Sequence, residues 1–234
     1  MADDKIKLSF LEKFRDAFNL KDHSDITIKT DTTEFHAHQV ILKLRTSFFE
    51  SATKEESGFL ESEDKIVTIE EHSTHSVWRF LKWIYTGDYS DESNNIELGE
   101  DDDLGVLKHC RVYALADFLG APELKQLAAK KLSAAFSSNW VKADFPQVVR
   151  EIYLTTNKQD KDIRGAAITS AKSHITELLQ MQDFKDVLLD VAEFSGGLII
   201  GASTAVLASR TPSQCLTCTC VQKYNCNSCG HMHY

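Results

Sequence analysis

A chain of 234 residues with 42% hydrophobic residues can bury one sizeable core or two small ones, which excludes a disordered tail. Its 26 Lys+Arg against 35 Asp+Glu give a formal charge of -9, which repels nucleic-acid phosphates and anionic lipid, and no basic patch reverses it, so neither a nucleic-acid nor a membrane partner is expected. The opening residues MADDKIKLSF lack the basic flank and apolar stretch of a secretion signal, so the chain is expected in the cytoplasm and/or nucleus with its thiols reduced. In chain order, Leu8, Leu11, Phe14 and Phe18 recur at helical spacing and predict an amphipathic N-terminal helix over residues 1–20. Asp25 opens a stretch in which Ile26 and Ile28 alternate with polar residues, and Asp31-Thr32-Thr33 supplies a turn before Phe35, which together predict a short hairpin. The segment HQVILKLRTSFFESA returns to helical spacing, and Ile66, Val67 and Ile69 predict a third short strand.

Val77, Phe80, Leu81, Ile84 and Tyr85 predict a further helix, capped by Ser73 or Thr74 and closed by Gly87. Between Asp88 and Asp103 lie eight acidic residues and no Lys or Arg, which reads as a solvated loop. Leu104 to Leu119 and Pro122 to Phe136 form a helical hairpin broken at Gly120-Ala121. Beyond it the pattern is all-helical to residue 209. Its apolar run GGLIIGASTAVLA falls short of the roughly 20 residues that cross a bilayer and reads as a buried or partner-facing helix.

The order of these elements, and three groups of residues within them, resemble the BTB/POZ domain. The first is Asp25, Phe35, His36, His38, Leu42, Ser47, Phe48 and Phe49, similar to that family's opening signature. The second is WRFLKWIYTGDY, and the third is Tyr113, Ala116, Leu119, Leu124 and Leu127, similar to its final helical pair. The resemblance implies an α+β fold, a small sheet surrounded by helices, over residues 21–136. An all-α extension (137–209) and a short Cys/His-rich tail (210–234) follow. A lone domain of this kind with a helical tail resembles fungal members of the family. The acidic loop is longer than the family's usual gap, and the extension is neither a kelch repeat nor a row of zinc fingers.

The resemblance further implies a homodimer, with Leu11, Phe14 and Phe18 near the seam, and a fold-bearing role for Asp25, His38, Ser47 and Phe49. The second histidine of the family's pair ties its imidazole to nearby backbone, so His38 reads as a satisfied core histidine. His36 and His38 have no further ligands nearby in sequence to make a metal site. Phe59-Leu60-Glu61 is an apolar-x-Glu step just before the third strand. In family members that recruit a cullin scaffold, such a triplet provides an apolar anchor and an oriented carboxylate. The alternative is that Phe59 packs a loop and Glu61 is solvated.

Cys110 stands alone, and beside His109 on a helix it reads as a buried structural thiol. The other five cysteines crowd into the tail. Cys215-x2-Cys218 and Cys226-x2-Cys229 have the spacing of two chelating pairs around structural zinc, with Cys220, His231 and His233 as alternates. A redox-sensitive tail is the competing reading. No Asp or Glu follows Glu193 to serve a catalytic metal as base, and no phosphate loop, nucleophile elbow or metalloprotease motif occurs, so the chain reads as a non-enzyme. Its expected function is that of a self-associating interaction adaptor, bound to itself, a cullin scaffold of a ubiquitin ligase and a protein client. The alternative is a transcriptional regulator or nucleic-acid-associated scaffold that uses the tail as its reader, although after Ser209 only Arg210 and Lys223 are basic.

Overall fold

The computed structural model of the chain describes residues 12–52, 65–89, 98–103, 105–138, 140 and 142–209, with side chains as far as 201. Two compact units divide between Ser170 and Ala171. Unit 1 begins with helical residues 12–16 and a turn over 17–19 that carries Asn19 at φ 51°, so the N-terminal helix closes before Phe18. The expected hairpin follows as β1 (Ile26–Lys29) and β2 (Glu34–Ala37), antiparallel with Ile26 opposite Ala37 and Ile28 opposite Phe35. Alternation sends Ile26, Ile28, Phe35 and Ala37 into the core. Within the turn, Thr30 N donates to Thr33 O at 2.9 Å and Thr33 N to Thr30 Oγ1 at 3.1 Å.

The segment after β2 divides into α1 (Gln39–Arg45) and α2 (Ser47–Ala52), because Thr46 is extended (φ -146°, ψ 138°). Asp25 explains its place in the sequence. Its Oδ1 accepts the Gln39 N–H at 2.7 Å and so caps the first turn of α1 from across the hairpin. The third strand, β3 (Ile66–Thr68), runs parallel to β1, giving the sheet order β2-β1-β3.

The next helix, α3 (Thr74–Thr86), is capped by Ser73, whose Oγ accepts the Ser76 N–H, and closed by Gly87 at φ 79°. Eleven of its residues are buried, on every face, which makes it the axis around which unit 1 packs. Then α4 (Leu107–Phe118) and α5 (Pro122–Ser138) form the predicted helical hairpin. Phe136, Trp140 and Phe145 cluster with ring centroids 4.9–6.4 Å apart, and the chain enters α6 (Phe145–Thr155), which packs on α4.

A polar tie fastens the turn after α6 to the hairpin. Lys125 Nζ lies 2.5 Å from both Asp117 and Asp160, and Tyr113 donates its hydroxyl to Asp160 at 2.9 Å. Burial opposes ionisation of Lys125, yet its two carboxylates outweigh burial and raise its pKa. Residues 161–173 form α7 (Lys161–Ser173).

In unit 2, α8 (Ile175–Leu178), α9 (Gln182–Asp190) and α10 (Ala192–Ser209) follow in close succession. Phe184 and Phe194 meet edge to face at 6.1 Å, and Lys172 Nζ donates to Gly201 O at 2.7 Å. Among the described residues no helix is long and apolar enough to cross a membrane.

Gly120 shows how tightly the hairpin corner is set. It holds φ 62°, and a Cβ there would stand 2.1 Å from Ser47 Oγ. Gly120→Ala is therefore expected to destabilise the fold by more than about 1 kcal/mol, through both the left-handed backbone and the clash. Thermal unfolding should show a midpoint lower by at least a few degrees. An unchanged midpoint would mean that this corner does not require glycine.

Candidate interaction surfaces

The acidic stretch read as a solvated loop is, at its C-terminal end, part of the core. Arg79 is wholly buried in α3 and needs compensation there. Its NH2 donates to Asp102 Oδ2 at 2.7 Å, and its NH1 lies 3.6 Å from Asp103 Oδ2. Asp103 also accepts from Ser73 Oγ at 2.9 Å and from Ser76 Oγ at 3.3 Å, and it pairs with Arg111 of α4, which in turn reaches Glu151 of α6 at 3.5 Å.

Nearby, Glu100 accepts the Thr74 N–H at 2.6 Å, while Thr32 and Thr33 donate their hydroxyls to Leu98 O at 2.8 and 2.9 Å. The carboxylates thus gather at the N-terminus of α3, where the helix dipole favours them. Sequence reasoning missed this network because eight acidic residues look alike in a loop. The usable signal was Arg79 itself, a cation flanked directly by Trp78 and Phe80 in a largely apolar run.

Phe14 and Phe18 are half-buried against α3. Phe14 lies 5.7 Å from Tyr85, and Phe18 lies 6.0 Å from Trp78 and 5.9 Å from Tyr85, measured between ring centroids. Leu11 lies outside the described residues. Tyr85 is also the partner of His38, with its hydroxyl 2.7 Å from His38 Nδ1 and accepting the His38 backbone N–H at 3.1 Å. The imidazole of His38, half-buried, is thus held by a phenol, where the resemblance implied a core position tied to nearby backbone. Burial raises the Tyr85 pKa to about 12, with the His38 N–H opposing the shift and the Asp25 charge adding to it. Phe49 is buried and stacks on Phe80 at 6.2 Å, while Ser47 begins α2 under Gly120.

One step beyond His38, α1 shows water two apolar side chains a helical turn apart, Val40 at 62% exposed and Leu44 at 80%. Sequence reasoning did not single them out, since any amphipathic helix carries such residues. A second apolar feature is a groove of about 540 Å³ between α2 and the α4–α5 corner. Its walls include Phe48, Ala52 and Phe118, and Phe118 is 53% exposed. Phe48 and Phe118 meet at 5.3 Å, and His72 closes on Phe118 at 5.3 Å. Burial lowers the His72 pKa against the pull of Glu71, so its imidazole is neutral near pH 7, and Asp117 is the charged group in the groove lining.

Phe59 and Glu61 lie outside the described residues, in the segment that leaves Ala52. Cys215, Cys218, Cys220, Cys226, Cys229, His231 and His233 lie outside them as well. Cys110 is fully buried, and burial pushes its thiol pKa well up, so it remains a protonated packing group. His109 turns away to Tyr89, whose hydroxyl lies 2.9 Å from its Nδ1.

A three-stranded sheet and a buried central helix define an α+β domain, which keeps apolar side chains exposed at Val40 and Leu44 of α1 and at Phe118 of α4. Residues 14–135 match the family model of the BTB/POZ domain. The chain belongs to the BTB/POZ family, whose domain is a protein-interaction module. Among solved structures it is similar to the BTB domain of zebrafish PATZ1, with 14% identity over 56% of this chain and 94% of that one and a TM-score of 0.41.

The buried network gives two expectations. Asp103→Ala leaves Arg79 short of a carboxylate and should cost about 3–5 kcal/mol, of which a large part returns when Arg79→Met is added. A double variant as unstable as the sum of the singles would refute the coupling. Burial works to raise the Asp102 pKa, but the Arg79 hydrogen bond and the charges of Arg79 and His75 outweigh it and hold the pKa below its ordinary value. A carboxylate with a lowered folded-state pKa stabilises the fold above its unfolded value of about 4 and ceases to do so as pH falls through the folded value. Denaturant midpoints should therefore drop below about pH 4, and Asp102→Asn should flatten that drop.

Proposed function

We propose that the chain is a self-associating adaptor without a catalytic step of its own, coupling a client protein to a cullin scaffold. The observation that carries this reading is the apolar groove at Phe48 and Phe118, which opens beside Ala52, the last described residue before the Phe59-Leu60-Glu61 triplet. An aromatic pocket, together with an apolar-x-Glu step that begins seven positions after Ala52 in the sequence, has the make-up of an interface hot spot, in which burial provides the affinity and a carboxylate fixes the register.

Self-association is assigned to Phe14 and Phe18, with Leu11 before them in the sequence, and to the exposed Val40 and Leu44 of α1. A second copy covering Val40 and Leu44 removes from water two large side chains that are 62% and 80% exposed in one chain. The helices from Ala171 onward, which show Leu189 at 81% exposed, are assigned to the client.

Light scattering after size exclusion, on the full chain alone and mixed with a cullin N-terminal domain, tests both halves. The expected result is a dimer that gains two cullin chains. Glu61→Lys should lose the cullin and keep the dimer, and Val40→Asp with Leu44→Asp should give a monomer. A wild-type monomer would overturn self-association. A dimer indifferent to cullin would overturn the adaptor assignment.

A further inference from the structure

We infer that the groove at Phe48 and Phe118 takes a basic segment of a partner protein, with an apolar side chain in the groove and a Lys or Arg reaching into an acidic cleft that adjoins it. The inference rests on that groove being a docking site, as proposed above, and names the chemistry of what docks there. His72 joins the two features. Its ring lies 5.3 Å from Phe118, and it also lines a cleft of about 380 Å³ whose walls include Asp31, Glu71, Glu100 and Glu151.

Charge decides the occupant. Arg111 is the cation among the residues lining the cleft, since the imidazole of His72 is neutral near pH 7, and it is committed inward to Asp103, whose side chain is 1% exposed. Arg79 and Arg111 together are matched by Asp102 and Asp103, so the four carboxylates of the cleft stand as surplus negative charge. Two of them are held in place, Glu100 by the Thr74 N–H at 2.6 Å and Glu151 by Arg111 Nε at 3.5 Å, while Asp31 and Glu71 stay exposed. In the groove itself Asp117 is already answered by Lys125 at 2.5 Å, which leaves the space between Phe48 and Phe118 to an apolar side chain. A basic segment finds complementary potential on this surface, and an acidic one is repelled. A second copy of this chain, with a formal charge of -9, is disfavoured by the same field.

Fluorescence anisotropy of the full chain with three short labelled peptides tests the pairing. The first carries Phe beside a run of Lys and Arg, the second the same Phe beside Glu and Asp, and the third the basic run with Ala in place of Phe. The first is expected to bind at least about tenfold more tightly than either of the others, and to weaken several-fold as salt is raised. Asp31→Asn with Glu71→Gln, both at exposed positions, should lower its affinity several-fold and weaken its salt dependence at an unchanged thermal midpoint. Phe118→Ala should reduce binding at low and high salt alike, with circular dichroism to show that the variant is folded.

Equal binding of the basic and acidic peptides, binding of none, or an affinity indifferent to the Asp31 and Glu71 changes would overturn the inference. A dimer that Phe118→Ala turns into a monomer would assign the groove to a second copy and overturn it as well. A chain that gains cullin in light scattering but shows no charge preference sinks this inference alone. One that prefers the basic peptide and ignores cullin sinks the cullin assignment alone.

Discussion

The buried guanidinium of Arg79 is the constraint on which the arrangement of unit 1 depends. A cation held at the axis of a helix bundle loses its hydration, and the loss is tolerable only where carboxylates are brought to it in fixed positions. Asp102 and Asp103 meet that demand, and in doing so they draw residues 98–103 across the N-terminus of α3. Asp103 then engages Arg111, and Arg111 engages Glu151, so one desolvated charge links α3, α4 and α6. Apolar packing alone would tolerate some sliding of these helices. A directional ion network is far less tolerant of it.

Because α3 is buried on all sides, no recognition can occur on it directly, and the surfaces left for partners are peripheral. Val40 and Leu44 belong to a helix of only seven residues, whose start is fixed by Asp25 and whose basic end rests on α3 through Arg45 over the Trp83 ring at 4.0 Å. A short helix with both ends anchored presents its exposed side chains with little freedom left to lose on association. The groove at Phe118 gains the same rigidity from the Gly120 corner.

The fold was legible in the sequence wherever one period or one turn residue decided the matter. Alternation placed Ile26 and Ile28 inward, Ser73 and Gly87 bounded α3, and Gly120-Ala121 marked the helical break. Legibility failed where the deciding partner was distant in sequence. Nothing local distinguishes Asp103 from Asp101, because what separates them is proximity to Arg79 on another element. Likewise the imidazole of His38 could be read as satisfied, but its phenolic partner stands 47 positions away. Exposed apolar residues were the least legible, since the pattern that predicts a helix does not say which of its faces a neighbour will cover.

The tie from Tyr113 and Lys125 to Asp160 bears on how such a chain can be inherited. The family match ends at residue 135, yet the hydroxyl and ammonium groups of the helical hairpin complete their bonding 25 residues further along. A recombination event that joined the hairpin to a foreign C-terminus at the edge of the match would strand the Tyr113 hydroxyl and leave Lys125 with Asp117 as its one carboxylate of the pair. Exchange of C-terminal partners between relatives is thus easier beyond Asp160 than before it, and the first helix after the hairpin is bound to travel with the domain as its heritable companion.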